Sequence, residues 1–195
     1  MRIKINPTRM QLLRLRRRVE LARRGHKLLK DKLDGLVQRF FGIKNDFLAL
    51  HKKLEPRLSV IFLKAIASSA LSQPEAQTGR AAATVEVSHR SIMGVRIPSY
   101  RLDIEGKPSY NELTATSETG EAVNAFSEIL PELVQLASLS RALRLIATQI
   151  IETRRRVNAL EYILIPELER NLKFIRMKLS ELERGTRVVL LKLEG

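Results

Sequence analysis

The sequence predicts an all-α protein in the main: a long antiparallel two-helix coiled coil with a small β-hairpin in its middle segment. Three observations carry this. Between Leu12 and Leu54 apolar residues keep a 3-4-3-4 spacing for six heptads, through Leu15, Val19, Ala22, Leu29, Leu33, Leu36, Phe40, Ile43, Phe47 and Leu50, with His26 the one polar member. A second stripe runs Leu136, Leu139, Leu143, Ile146, Ile150, Thr153, Val157, Leu160, Leu164. Aromatics are 5% of the chain and Trp is absent, as expected where Leu and Ile fill a seam rather than a broad core. Apolar residues every 3.5 positions draw a narrow strip that only another helix can cover.

The first helix, in a segment 1–72, is expected to start at Thr8, whose hydroxyl can take up a free backbone N–H. Gly25, Gly35 and Gly42 lie off the seam, where a close neighbour or simple tolerance would explain them. At Leu54 the stripe steps to Leu58, one residue late, beside Pro56; a kink or short break is expected there, because Pro removes a helix hydrogen bond and crowds the preceding turn. From 73 to 118 the helical period disappears, punctuated by Pro74, Gly79, Pro98, Gly106 and Pro108. Alternation in Thr84–Val87, Val95–Ile97 and Tyr100–Ile104 around Met93-Gly94 predicts a hairpin over about 84–105, with an edge or bulge at Pro98. The second helix, 119–195, slips by one residue between Leu164 and Leu168, flanking Pro166, and continues through Leu172, Ile175, Leu179 and Leu182. Its early Glu121 and Glu128 suit the helix dipole.

Chemistry is sparse. Cys is absent, which removes disulfides and thiolate metal sites. The three His are scattered, and neither GxxxxGK[ST] nor GxGxxG occurs, so no metal, cofactor or catalytic residue is expected. Ser138 and Ser140 read as small packing residues. Met1–Met10 lacks the apolar core of a secretory signal, and Leu58–Leu71 is too short to span a bilayer, so a cytoplasmic chain is expected.

The net charge of +14 is uneven. Residues 1–57 carry 17 Lys and Arg against 5 Asp and Glu, residues 58–140 carry 6 against 9, and residues 141–195 carry 12 against 7. On the heptad register Arg16, Arg23 and Lys30 fall at e, Arg17 and Arg24 at f, Arg18 and Lys32 at g, Arg14 at c and Lys27 at b. Charge therefore wraps every side of the helix except its seam. A nucleic-acid binder concentrates charge on one face and adds aromatics for stacking; no aromatic precedes Phe40. A basic coiled-coil nucleic-acid-binding protein and a peripheral membrane scaffold are the rival readings, distinguished by steep salt dependence of nucleic-acid binding and by co-sedimentation with anionic liposomes.

Pro7-Thr8-Arg9-Met10, then Ala22-Arg23-Arg24-Gly25-His26-Lys27-Leu28-Leu29-Lys30-Asp31-Lys32, resembles the D subunit of the V/A-type rotary ATPases. Arg154-Arg155-Arg156-Val157-Asn158-Ala159-Leu160-Glu161 with Ile165-Pro166 is similar to that family's second signature, and Met93-Gly94-Val95-Arg96-Ile97-Pro98 to its hairpin. The resemblance implies a non-catalytic central rotor shaft, coupling ATP hydrolysis or synthesis to proton or sodium transport. Its implied partners are the catalytic A and B subunits, the small F subunit of the stalk, and the C/d subunit at the membrane rotor ring; no nucleic acid is implied, and the chain is peripheral to the membrane. Arg9, Arg14, Arg16, Arg17, Arg18, Arg23, Arg24, Lys27, Arg176, Arg184 and Arg187 are the expected contacts with the catalytic ring. Leu12, Leu15, Val19, His26, Leu29, Leu33, Leu36, Val157, Leu160, Leu164, Ile175 and Leu182 are the expected seam.

Overall fold

The computed structural model describes residues 7–71, 82–105 and 117–193. In order these form α1 (Arg9–Leu71), β1 (Ala82–Ile92), β2 (Val95–Glu105), α2 (Ser117–Asn158), a π-helical turn (Ala159–Leu164) and α3 (Ile165–Leu193). The expected punctuation at Pro74, Gly79, Gly106 and Pro108 lies outside the described residues. The chain divides into two compact units, one of residues 1–35 with 150–195 and one of residues 36–149.

In the second unit α1 and α2 run antiparallel, as their ion pairs record. Lys64 Nζ lies 2.8 Å from Glu121, Lys53 Nζ 2.9 Å from Glu132, and Arg57 Nη1 3.2 Å from Glu132, so partners descend on one helix as they ascend on the other. Leu54, Ile61 and Ile129 form the buried cluster, with Leu50, Leu58, Ala125, Leu133 and Leu136 packed around it. A fully buried Leu or Ile stabilises by about 2 kcal/mol relative to exposure, so Leu54, at 1% exposure, anchors α1 just before Pro56.

That anchoring bears on the kink or short break expected at Pro56: α1 runs through the proline as one helix, without a break. Leu54 on one side and Leu58 and Ile61 on the other are all held by the same cluster, which outweighs one lost backbone bond. The late step to Leu58 is a local eleven-residue spacing, a stutter that unwinds the supercoil and leaves the helix whole. Helix α2 holds an interior proline of its own, Pro131, which the heptad pattern does not single out. It precedes Glu132, the carboxylate bridging Lys53 and Arg57, so both helices lose a backbone bond at neighbouring levels and an ion cluster ties them there.

The hairpin is tighter than expected. Met93 (φ 51°) and Gly94 (φ 84°) both occupy the left-handed region, the signature of a two-residue type I′ turn. Pairing is one-to-one from Ile92↔Val95 to Ala82↔Glu105, so of the edge or bulge expected at Pro98 it is the edge that forms. The register explains why Pro98 is tolerated. Closing pair Ile92↔Val95 exchanges ladder bonds, and alternation then puts His89↔Pro98 in a non-hydrogen-bonded pair, where β2's backbone N faces outward. Tyr100 shares that parity, and its N–H donates outward to Ser138 Oγ of α2 at 3.1 Å. Ser138 donates in turn to the Val134 carbonyl at 3.1 Å. Ser138, expected to be only a packing residue, therefore moors β2. Val95 and Ile97 are buried while β1 is exposed over almost all its length.

In the first unit Thr8 caps α1: its Oγ1 accepts from the Gln11 N–H at 3.2 Å and its carbonyl from the Leu12 N–H at 3.0 Å. Opposite, the second long helix is not uniform. Ile165 N–H reaches back five residues to the Leu160 carbonyl, and the wider π turn takes up the extra residue seen as the slip to Leu168. Pro166, which cannot donate, follows directly; widening the turn before it relieves the proline's usual clash. Helix α2 begins at Ser117, two residues before the expected start, so Gly120 is helical.

These contacts set expectations for stability. Nothing lies within 4 Å of a Cβ built on Gly25 or Gly42, so neither admits a close neighbour within the chain, and Gly25→Ala and Gly42→Ala should each raise stability by about 0.5–1 kcal/mol in denaturant melts. Glu132 is held below the ordinary carboxylate range, first by its hydrogen bond from Lys53 and then by the charges of Lys53 and Arg57. A depressed carboxylate contributes stability above its unfolded pKa of about 4.3, lost as pH falls through the lower folded value. Wild type should thus melt above Glu132→Gln at pH 7, and the difference should vanish at acid pH.

Candidate functional site

The basic helix pair of the first unit carries the candidate surface. Its buried floor is Leu15, Val19, Val157, Ile175 and Thr153. Leu12, Leu29, Leu33 and Leu160 are half-buried beside them, and Leu36, fully buried, belongs to the second unit. Two expected seam residues are exposed, Leu164 at 42% and Leu182 at 58%. Leu164 ends the π turn, whose extra residue rotates it off the seam. Leu182 neighbours Glu183, which pairs with Arg9 in the first turn of α1, so no further described turn of α1 is left to cover it.

The expected ring-contact cations divide into two sets. Arg9 Nη2 lies 2.8 Å from Glu183, Arg23 Nη2 lies 2.5 Å from Glu169, and Arg24 pairs with Glu20 one turn before it. These three are held by carboxylates of their own chain, each in a solvent-exposed pair that contributes little to stability. Arg14, Arg16, Arg17, Arg18, Lys27, Arg176, Arg184 and Arg187 are exposed and have no ion-pair partner among the described residues. Sequence pattern gives no signal for the in-chain acids Glu161, Glu169 and Glu183; only the antiparallel register places them opposite α1.

His26 is half-buried at its seam position, with Nε2 3.3 Å from Glu161 Oε2 in the π turn. An ionised carboxylate only accepts, so the contact requires a proton on Nε2. The seam thus carries a polar cross-link from α1 to the one irregular turn opposite.

The surface is less purely charged than a hydrated collar. Leu13, Leu21 and Leu28 on α1 and Tyr162, Ile163, Val188, Leu190 and Leu191 opposite are large apolar residues left at least 49% exposed. Near the start of α1, Pro7, Leu182, Gly185, Thr186, Val189 and Leu190 line an apolar cleft of about 750 Å³. Among the described residues no group of three or more His, Asp or Glu is placed to hold a metal ion, and no helix is long and apolar enough to cross a membrane.

An antiparallel helix pair sealed by a narrow seam, basic in one unit and carrying a moored hairpin in the other, defines a helical interaction protein. The sequence model of the family described as the D subunit of ATP synthase matches residues 11–195, and the chain belongs to that family. Among its relatives is the D subunit of the V-type ATP synthase of Clostridium botulinum (strain ATCC 19397 / Type A), 39% identical over 206 residues that cover 100% of this chain and 95% of that one. Those of Thermoanaerobacter sp. (strain X514) and Acetivibrio thermocellus are 37% and 36% identical, each over 98% of this chain and over 96% and 91% of their own.

Because Glu161 is half-exposed, removing its partner leaves the carboxylate hydrated rather than stranded. His26→Leu should therefore keep the fold and shift stability by no more than about 1 kcal/mol, measured by thermal melting; loss of folding would mean the contact with the π turn is essential.

Proposed function

We propose that this chain is the central rotor shaft of a V/A-type rotary ATPase, coupling ATP hydrolysis or synthesis in the A–B ring to rotation of the membrane ring and to ion transport. The observation that carries this reading is the family match, which runs through both helices and the hairpin rather than one segment. In this reading the chain has no catalytic residue of its own. The first unit enters the catalytic ring, where Arg14, Arg16, Arg17, Arg18, Lys27, Arg176, Arg184 and Arg187 meet three similar faces in turn. Exposed cations serve that better than a deep apolar anchor, because their hydration is largely kept and no one orientation is held too tightly. Arg9, Arg23 and Arg24, already paired within the chain, contribute less to that contact. The second unit meets the small F subunit and, towards the membrane, the C/d subunit, so the protein is cytoplasmic and peripheral to the membrane.

The test removes Leu182–Gly195. Every described residue from Glu181 to Leu193 is exposed, so the truncation should change the melting temperature little. It deletes Arg184, Arg187 and Lys192 together with the apolar Val188, Val189, Leu190 and Leu191. Reconstituted with the F subunit and the A–B ring, the truncated chain should still bind the F subunit while ATP-driven rotation falls. Unchanged rotation with lost F-subunit binding would reverse the two ends.

A further inference from the structure

The seam of the first unit thins at one level. On α1, Val19 is the last buried residue before Leu36; on the returning helices, Val157 is the last before Ile175. Among the described residues, nowhere else along the helices do successive buried residues lie so far apart. The two gaps face each other. His26 lies 3.3 Å from Glu161 and Arg23 2.5 Å from Glu169, and all four residues fall inside them. The seam residues at this level, Ala22, Leu29 and Leu33 on α1 with Leu160, Leu168 and Leu172 opposite, are only half-buried. The polar contacts beside them are open to water and hold a helix pair weakly.

Both backbones are weakened at the same level. On α1, Gly25 precedes His26, and a Cβ built on it would meet nothing within 4 Å, so no neighbour in the chain requires the glycine. Its effect is to leave the backbone free to depart from helical geometry. Opposite, Ala159–Leu164 is the π turn, which holds no buried residue, and Pro166 just after it has no N–H to give. Apolar side chains of this level are turned to water instead: Leu21, Leu28, Tyr162 and Ile163 are each at least 63% exposed. An isolated irregularity would weaken one helix only. Here the seam and both backbones weaken together, although the segments are distant in sequence. Segments with little buried apolar surface open ahead of their surroundings.

We propose that the pair is hinged here: residues 20–35 and 158–174 open together, on the timescale of hydrogen exchange, while the seam on either side stays closed. Such a hinge lets the basic end of the pair, held by Leu15, Val19 and Ile175, change direction as one piece. The proposal goes beyond the shaft reading and does not rest on it, because the isolated full-length chain can be assayed without any ring.

The test is amide hydrogen exchange on that chain, followed by mass spectrometry and corrected for intrinsic rates. Peptides within 20–35 and 158–174 should exchange about tenfold or more faster than those within 36–54 and 142–157, with matching protection on the two helices. Gly25→Ala should slow exchange in both segments by about threefold, although 158–174 is untouched by it. Gly42→Ala, the same change in the second unit, should slow neither. Deleting Ile163 takes out the extra residue of the π turn and should slow residues 20–35, which it does not alter. If the deletion lowers the melting temperature far below wild type, Gly25→Ala alone decides. Protection in 20–35 equal to that in 36–54 would overturn the proposal. So would fast exchange confined to 158–174, or a Gly25→Ala effect confined to α1, since either leaves a local fault in one helix and no hinge of the pair.

Discussion

Burial of the α1 stripe against the returning helix is the constraint on which the other features depend. Leu15, Val19, Leu36, Ile43, Leu54 and Ile61 are each buried to 9% exposure or less. A seam this narrow buries little area per residue, so its stability comes from repetition rather than from any single core. That repetition absorbs local faults. Pro56 and Pro131 each remove a backbone bond, yet the helices persist because Leu54, Ile61 and Ile129 fix the pair at that level. Where a fault could not be absorbed in α geometry, beside Pro166, the chain widens into a π turn and continues.

The same narrowness leaves most of each helix surface for interaction. In the first unit the non-seam positions carry unpaired arginines interleaved with exposed Leu13, Leu21 and Leu28. Cations spread round a helix can be met from any side, and the apolar residues among them offer additional contact area. In the second unit that freedom goes to the hairpin. Ser138 holds β2 to α2 through the Tyr100 N–H, which leaves β1 as the outer edge.

The sequence by itself determined the helices, the hairpin and the seam of α1, because heptad spacing and period-two alternation are local patterns that burial must obey. From Leu12 to Leu54 every stripe residue is buried or half-buried, and Met93-Gly94 forms the turn of the hairpin that alternation on either side of it predicts. Only the tertiary structure decided which residues meet across the pair. Glu161, Glu169 and Glu183 face His26, Arg23 and Arg9 because of the antiparallel register, and a register is a relation between distant segments that neither stripe encodes alone. The exposure of Leu182, the continuity at Pro56 and the mooring role of Ser138 have the same origin. Each depends on what a neighbouring element brings to that level, and periodicity along one helix carries no such information.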